Sequence, residues 1–180
     1  MTPRWQEELL GPLPDPPVDP DADARALAST LRLRILRLCL DEPRSNREIA
    51  AALGRNPGST LHHVRTLVDR GFLAPLPVRR GVRGSREVPY LATGRSWRTP
   101  VAPGDPSLVR TFVDEIGEAR PDDVAVVRLG LTLTPAARAE LDQRVSALLQ
   151  EYADRAPDPG GEPVAVFYAS YDDAQRRRLA

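Results

Sequence analysis

Apolar residues first settle into a helical rhythm after Asp23. Leu27, Leu31, Ile35 and Leu38 follow at steps of four, four and three, with Leu36 and Leu40 widening the stripe. One helix is expected from Asp23 to the stop at Pro43. Ser45-Asn46-Arg47-Glu48 then sets a serine three residues before a glutamate, a capping box that starts a short helix buried through Ile49, Ala50 and Leu53 and closed by Gly54. Asn56 and Pro57 open the next helix, whose inner side is Thr60/Leu61, Val64 and Leu67/Val68 and whose end is Gly71. Two short capped helices around a tight turn predict a helix-turn-helix.

Beyond Gly71 the period changes. Phe72 to Val78 reads as a strand confined to an edge by Pro75 and Pro77, and Val88, Tyr90 and Ala92 alternate as its partner. Between them lies Arg79-Arg80-Gly81-Val82-Arg83-Gly84-Ser85-Arg86, so the hairpin is a wing following the helix-turn-helix. Three prolines in 99–106 suggest a linker, and Leu108/Val109, Phe112/Val113 and Ile116 an amphipathic helix. Val124 to Leu133 and Pro163 to Ala169 read as strands flanking a long helix from Thr134-Pro135, with Leu141, Val145, Leu148 and Tyr152 as its stripe. That strand-helix-strand suits a parallel βαβ unit or strands exchanged between protomers. At the other end, Trp5, Leu9 and Leu10 have the spacing of a short docking helix before the proline-rich run 11–20. The expected organisation is α+β: a flexible leader (1–20), a winged helix-turn-helix domain (21–98) and a smaller helical and strand-helix-strand dimerisation or effector region (99–180).

Composition alters this picture at one point. The 180 residues carry 25 basic and 25 acidic side chains, a net charge of zero, and every basic residue is arginine. The balance hides a gradient. Residues 1–43 hold five arginines and eight acids, net −3; residues 44–98 hold eleven and three, net +8; residues 99–180 hold nine and fourteen, net −5. A basic middle that coincides with the helix-turn-helix is the electrostatic footprint of a nucleic-acid module. Cys39 is the single cysteine, which excludes an intrachain disulfide and suits a reducing cytoplasm. No apolar run is long enough to span a bilayer, and the N-terminus lacks the order of a secretory signal, so no membrane partner is expected.

The exposed side of the second helix is short and polar, as a helix entering a major groove about 12 Å wide requires. The candidate DNA-contacting set is Arg44 and Ser45 before the first helix; Asn56, Ser59, Thr60, His62, His63, Arg65 and Thr66 on the second; and Arg79, Arg80, Arg83 and Arg86 on the wing. Wing arginines fit the backbone or a narrow, strongly negative minor groove. Neighbouring His62 and His63 point about 100° apart on a helix and lack further ligands, so no metal and no cofactor are expected. No nucleophile–base constellation or phosphate-cradling glycine loop is present, and an enzyme is not expected.

The run Ser45-Asn46-Arg47-Glu48-Ile49-Ala50, then Ser59 through Leu73, resembles the winged helix-turn-helix of ArsR-type bacterial regulators. His63, Val64, Leu67, Gly71 and Phe72 occupy the places of that family's recognition-helix signature, and the likeness covers roughly residues 23–93. It implies a homodimeric regulator that binds double-stranded DNA. Two departures stand beside it. The chain lacks the Cys-x-Cys pair and the terminal-helix His/Asp ligands of metal-sensing members, and 124–170 is an addition to the minimal family. The function expected is a sequence-specific transcriptional regulator with helix 57–70 in the major groove and wing 79–86 on the backbone or minor groove. The alternative is a winged-helix adaptor for another protein, without specific DNA binding. A small-molecule effector stays open, with no polar cluster to name its class.

Overall fold

The structure, a computed structural model, describes residues 4–16, 18–81, 84–99 and 104–178, leaving aside the side chains of Arg4, Trp5, Glu7 and Arg98. It divides into two units, 1–115 and 116–180.

In the first unit, α1 (Arg4–Leu10) is anchored by buried Gln6, whose Nε2 donates to the Leu40 carbonyl at 3.1 Å. The stripe read as one helix from Asp23 is two, α2 (Pro20–Leu27) and α3 (Thr30–Leu38). Ser29 explains the correction. It leaves the helical region at φ −158°, and its Oγ accepts from the Arg32 amide at 3.4 Å, capping α3. Arg32 in turn folds its guanidinium onto the last carbonyls of α2, those of Ala26 and, at 2.7 Å, Arg25.

The capping box forms as the spacing requires. β1 (Arg44–Ser45) leads into α4 (Asn46–Ala52), with Ser45 Oγ accepting from the Glu48 amide at 3.3 Å and the Glu48 carboxylate accepting from the Ser45 amide at 2.7 Å. Gly54, at φ +60°, turns the chain toward α5 (Pro57–Asp69), and Asn46 Nδ2 donates to the Pro57 carbonyl at 2.8 Å. Thr60, Val64 and Leu67 are the fully buried side of α5.

The hairpin is broken into two ladders rather than one. β2 (Leu73–Pro75) pairs antiparallel with β5 (Pro89–Ala92), which β1 also joins, giving the order β1-β5-β2. Further out, β3 (Arg79–Arg80) pairs with β4 (Arg86–Glu87). Pro75 still pairs within β2, and Pro77, between the two ladders, lacks the N–H that a continuous one would need. Ile35, Ile49, Val64, Leu67, Phe72 and Leu27 meet in one core beneath the sheet, with Cys39 among them. Burial pushes the Cys39 thiol up to about 12, against the pull of Arg44, so it stays protonated. A short 3₁₀ turn (Arg95–Arg98) precedes α6 (Ser107–Glu118), whose Glu115 pairs with Arg37 of α3 at 3.4 Å.

The second unit contains α7 (Pro135–Ala153), capped by Thr134, and α8 (Ala174–Arg177). The strands expected at 124–133 and 163–169 join no ladder among the described residues, so the parallel βαβ unit does not form within the chain. Their apolar alternation remains, and it lies open to solvent. No described helix is long and apolar enough to cross a membrane.

Candidate nucleic-acid interface

Burial of Thr60, Val64 and Leu67 turns the opposite face of α5 outward. Ser59, His62 and Arg65 are exposed there at successive steps of three, the spacing that lines residues along one helical face. Thirteen residues give a rod about 20 Å long. Asn56 and Pro57 fix its start: Asn56 Oδ1 accepts from the Gly58 amide at 2.7 Å, and Ser59 Oγ donates to the Asn56 carbonyl at 2.9 Å. Thr66 Oγ1 donates to the His62 carbonyl at 3.1 Å, and the residue is half-buried.

Two of the expected contact residues are corrected. Ser45 and Thr60 are 1% and 0% exposed, their hydroxyls turned to the capping box and to the Asn56 carbonyl at 3.0 Å. They shape the helices from inside and have no surface to offer a duplex. His63 is intermediate, with a buried Nδ1 that has no partner. Desolvation, with the positive charge of Arg32 and the proximity of His62 and Arg55, lowers its pKa below the usual histidine value, favouring neutral imidazole.

The wing arginines are not equivalent. Arg79 is held by Glu48 at 2.5 Å, and Arg44 by Glu42 at 2.6 Å. Arg80 and Arg86 stand opposite each other in the β3–β4 ladder, both exposed, with no carboxylate on either among the described residues. Like charges set directly across a strand pair disfavour the hairpin until an anion lies between them. Arg83 lies outside the described residues. Burial works against the charged form of Glu48, but hydrogen bonds from Ser45 and the nearby Arg79 and Arg44 outweigh it and hold the carboxyl below its usual range.

The far end of α5 is fixed by a residue that hydrophobic periodicity marks only as a helix start. Asp23 is 4% exposed and receives Arg70, the α5 C-cap, at 2.6 Å and Arg95, beyond β5, at 2.5 Å. Arg70 also donates to the Asp19 carbonyl at 3.1 Å, while Arg95 donates to the Arg70 carbonyl and lies 5.0 Å from the Phe72 ring centre. One carboxylate thus ties α2 to the helix end and to the exit of the wing. The missed signal is an aspartate at a helix start facing arginines 47 and 72 residues away, a separation no local window reads. Arg47 and Arg55, outside the expected set, are exposed beside this surface without a carboxylate partner among the described residues.

Residues 29–74 match the family model described as "Bacterial regulatory protein, arsR family". Over these residues the helix-turn-helix is similar to that of the arsR family. The match runs from the α3 cap through α4 and α5 into β2, and so includes the whole helical part of the candidate surface. With the hairpin that follows, the arsR-type element is a winged helix-turn-helix in an α+β chain. Among solved structures, the chain is similar to the homodimeric winged helix-turn-helix DNA-binding domain of Mb0332 from Mycobacterium bovis, with 22% identity, 60% of this chain and 86% of that chain covered, and a TM-score of 0.34. It is also similar to an apo double mutant of Lactococcus lactis ZitR, with 22% identity, 72% and 86% covered, and a TM-score of 0.33. No curated protein matched the sequence.

Proposed function

We propose that this protein is a sequence-specific, DNA-binding transcriptional regulator acting as a homodimer in the cytoplasm. Residues 21–98 read the duplex, and 99–180 serve dimerisation or an effector. The observation that carries the reading is the joint layout of α5 and the wing. Ser59, His62 and Arg65 form one open polar face on an arsR-type second helix, and Arg80 faces Arg86 without a counter-ion among the described residues on the hairpin beyond it. The helix face supplies donors and acceptors for base edges, and the hairpin supplies guanidinium groups for phosphates. Arg83 would join the wing contacts; Arg79 and Arg44 would do so only by leaving their glutamates.

Fluorescence anisotropy of the full chain tests the reading, using a duplex enriched from a random-sequence pool and an unselected duplex as control. The enriched duplex is expected to bind about 10³-fold tighter or better. Arg65→Ala is expected to reduce that preference at a cost of about 1–3 kcal/mol, whereas Arg80→Ala weakens both duplexes alike. Failure of the pool to enrich, or equal affinity for the two duplexes, would replace this function with that of a winged-helix adaptor for another protein.

A further inference from the structure

The two histidines of the chain sit side by side on α5, and packing treats them differently. His62 is exposed, whereas His63 lies on the border of the outer face. One helical step from His63 are exposed Ser59 and half-buried Thr66; on its other flank, at the same spacing, are buried Thr60 and Leu67. The two rings meet edge-on, with centres 5.6 Å apart and planes at 68°. Within the His63 ring, Nδ1 is shut away from water and has no hydrogen-bond partner, while Nε2 is not enclosed in this way.

A neutral imidazole carries one N–H and one bare nitrogen, so the state of Nδ1 dictates that of Nε2. Desolvation first, then the charges of Arg32 on α3, of neighbouring His62 and of Arg55 in the turn before α5, favours the neutral ring. Two effects then select its tautomer. Folded proteins very seldom bury an N–H without an acceptor, whereas an acceptor left short is better tolerated. The surrounding positive potential also favours a lone pair over the positive end of an N–H dipole. Both effects leave Nδ1 bare and put the proton on Nε2.

The neighbouring hydroxyls make that proton matter. Ser59 Oγ donates to the Asn56 carbonyl at 2.9 Å, and Thr66 Oγ1 donates to the His62 carbonyl at 3.1 Å. Each has given its single proton to the helix backbone and keeps only acceptor lone pairs for anything outside. We infer that His63 is fixed as the Nε2–H tautomer and meets the duplex as a hydrogen-bond donor alone, between the acceptors Ser59 and Thr66. The inference deepens the regulator reading, on which it rests for the identity of the ligand. The group His63 selects is an acceptor: guanine N7 or O6, adenine N7 or thymine O4 in the major groove, or a phosphate oxygen. The amino groups of cytosine and adenine, which only donate there, are refused.

Nitrogen-15 NMR of the full chain without DNA, at about pH 8 and so above the usual histidine pKa, tests the tautomer. His62→Gln leaves a single histidine and so assigns the ring, and His63→Gln assigns it by loss of signal if the first variant does not fold. Protonated Nε2 with bare Nδ1 is expected; protonated Nδ1, or exchange between the two tautomers, would overturn the inference. The second arm uses a duplex enriched from a random-sequence pool. Analogues lacking purine N7, guanine O6 or thymine O4, and methylphosphonates in the backbone, are introduced one position at a time. At one position the replacement is expected to weaken wild-type binding roughly tenfold and His63→Ala not at all. His63→Gln, whose amide keeps an N–H, is expected to restore part of that sensitivity. A coupled base analogue places the acceptor in the groove, and a coupled methylphosphonate places it on the backbone. Coupling at no position would overturn the donor role. An Nε2–H ring in a protein without duplex preference counts against the regulator reading, whereas the other tautomer with preference intact counts against this inference alone.

Discussion

Asp23 shows how one side chain can set the pose of a whole helix. Its carboxylate is nearly out of water between two guanidinium groups that retain some solvent contact. Removing the charge leaves both arginines under-compensated, so Asp23→Asn should lower unfolding free energy by about 2 kcal/mol, less than for a fully buried pair. Urea unfolding checks this, and an unchanged midpoint would show that water replaces the carboxylate. His63 yields a prediction in pH. Its folded pKa lies below the usual histidine value of 6.5, so the unfolded chain binds more protons in the interval between the two. The contribution is therefore complete above about pH 6.5 and lost as pH falls through the lowered folded value. His63→Gln should flatten that part of the stability profile, as urea midpoints from pH 8 downward would show. Asp23 was invisible to local pattern because its partners are far along the chain, and the orphaned Nδ1 of His63 exists only once α5 is packed.

The helices of the arsR-type element were the most legible, because caps are local chemistry. Ser45 with Glu48 and Asn56 with Pro57 announce α4 and α5, and the structure supplies the bonds that their spacing requires. The hydrophobic stripe continues in phase across Ser29, so periodicity alone predicts one helix where the structure has α2 and α3. Ser29→Ala should cost about 1 kcal/mol, read as a lowered thermal midpoint, because the Arg32 amide loses its acceptor. An unchanged midpoint would mean that the Arg32 clamp alone separates the helices. Ser45 and Thr60 show that residue type does not distinguish a cap or a core hydroxyl from an exposed one. The expected strands at 124–133 and 163–169 fail for the opposite reason: the alternation in 124–133 is real, but the pairing it calls for is absent among the described residues.

At the scale of the molecule, the +8 of residues 44–98 overstates what a duplex can meet. Arg70 and Arg95 are committed to Asp23, Arg79 to Glu48 and Arg44 to Glu42. The open cations of the candidate wing include Arg80 and Arg86. If each meets one phosphate, replacing any of them with alanine should reduce the slope of log affinity against log salt by about 1. The joint change Arg79→Gln with Glu48→Gln should leave the slope unaltered, since a neutral pair is exchanged for a neutral pair. A slope that follows all basic residues equally would show that total charge, not this partition, governs binding.

The Arg79–Glu48 pair also bears on discrimination among polyanions. If the proposed wing contacts include Arg79, Glu48 holds the guanidinium that a phosphate would take, and a nucleic acid would have to compete with this internal mimic to gain it. Weak, ill-fitting duplexes lose this competition more often than a ligand already aligned by α5. Glu48→Gln keeps the side-chain acceptor needed for the capping box but removes the mimic's charge. The variant should bind every duplex more tightly while preferring its own target less, with both affinities measured at one salt concentration. A rise confined to the target would show that the mimic filters nothing.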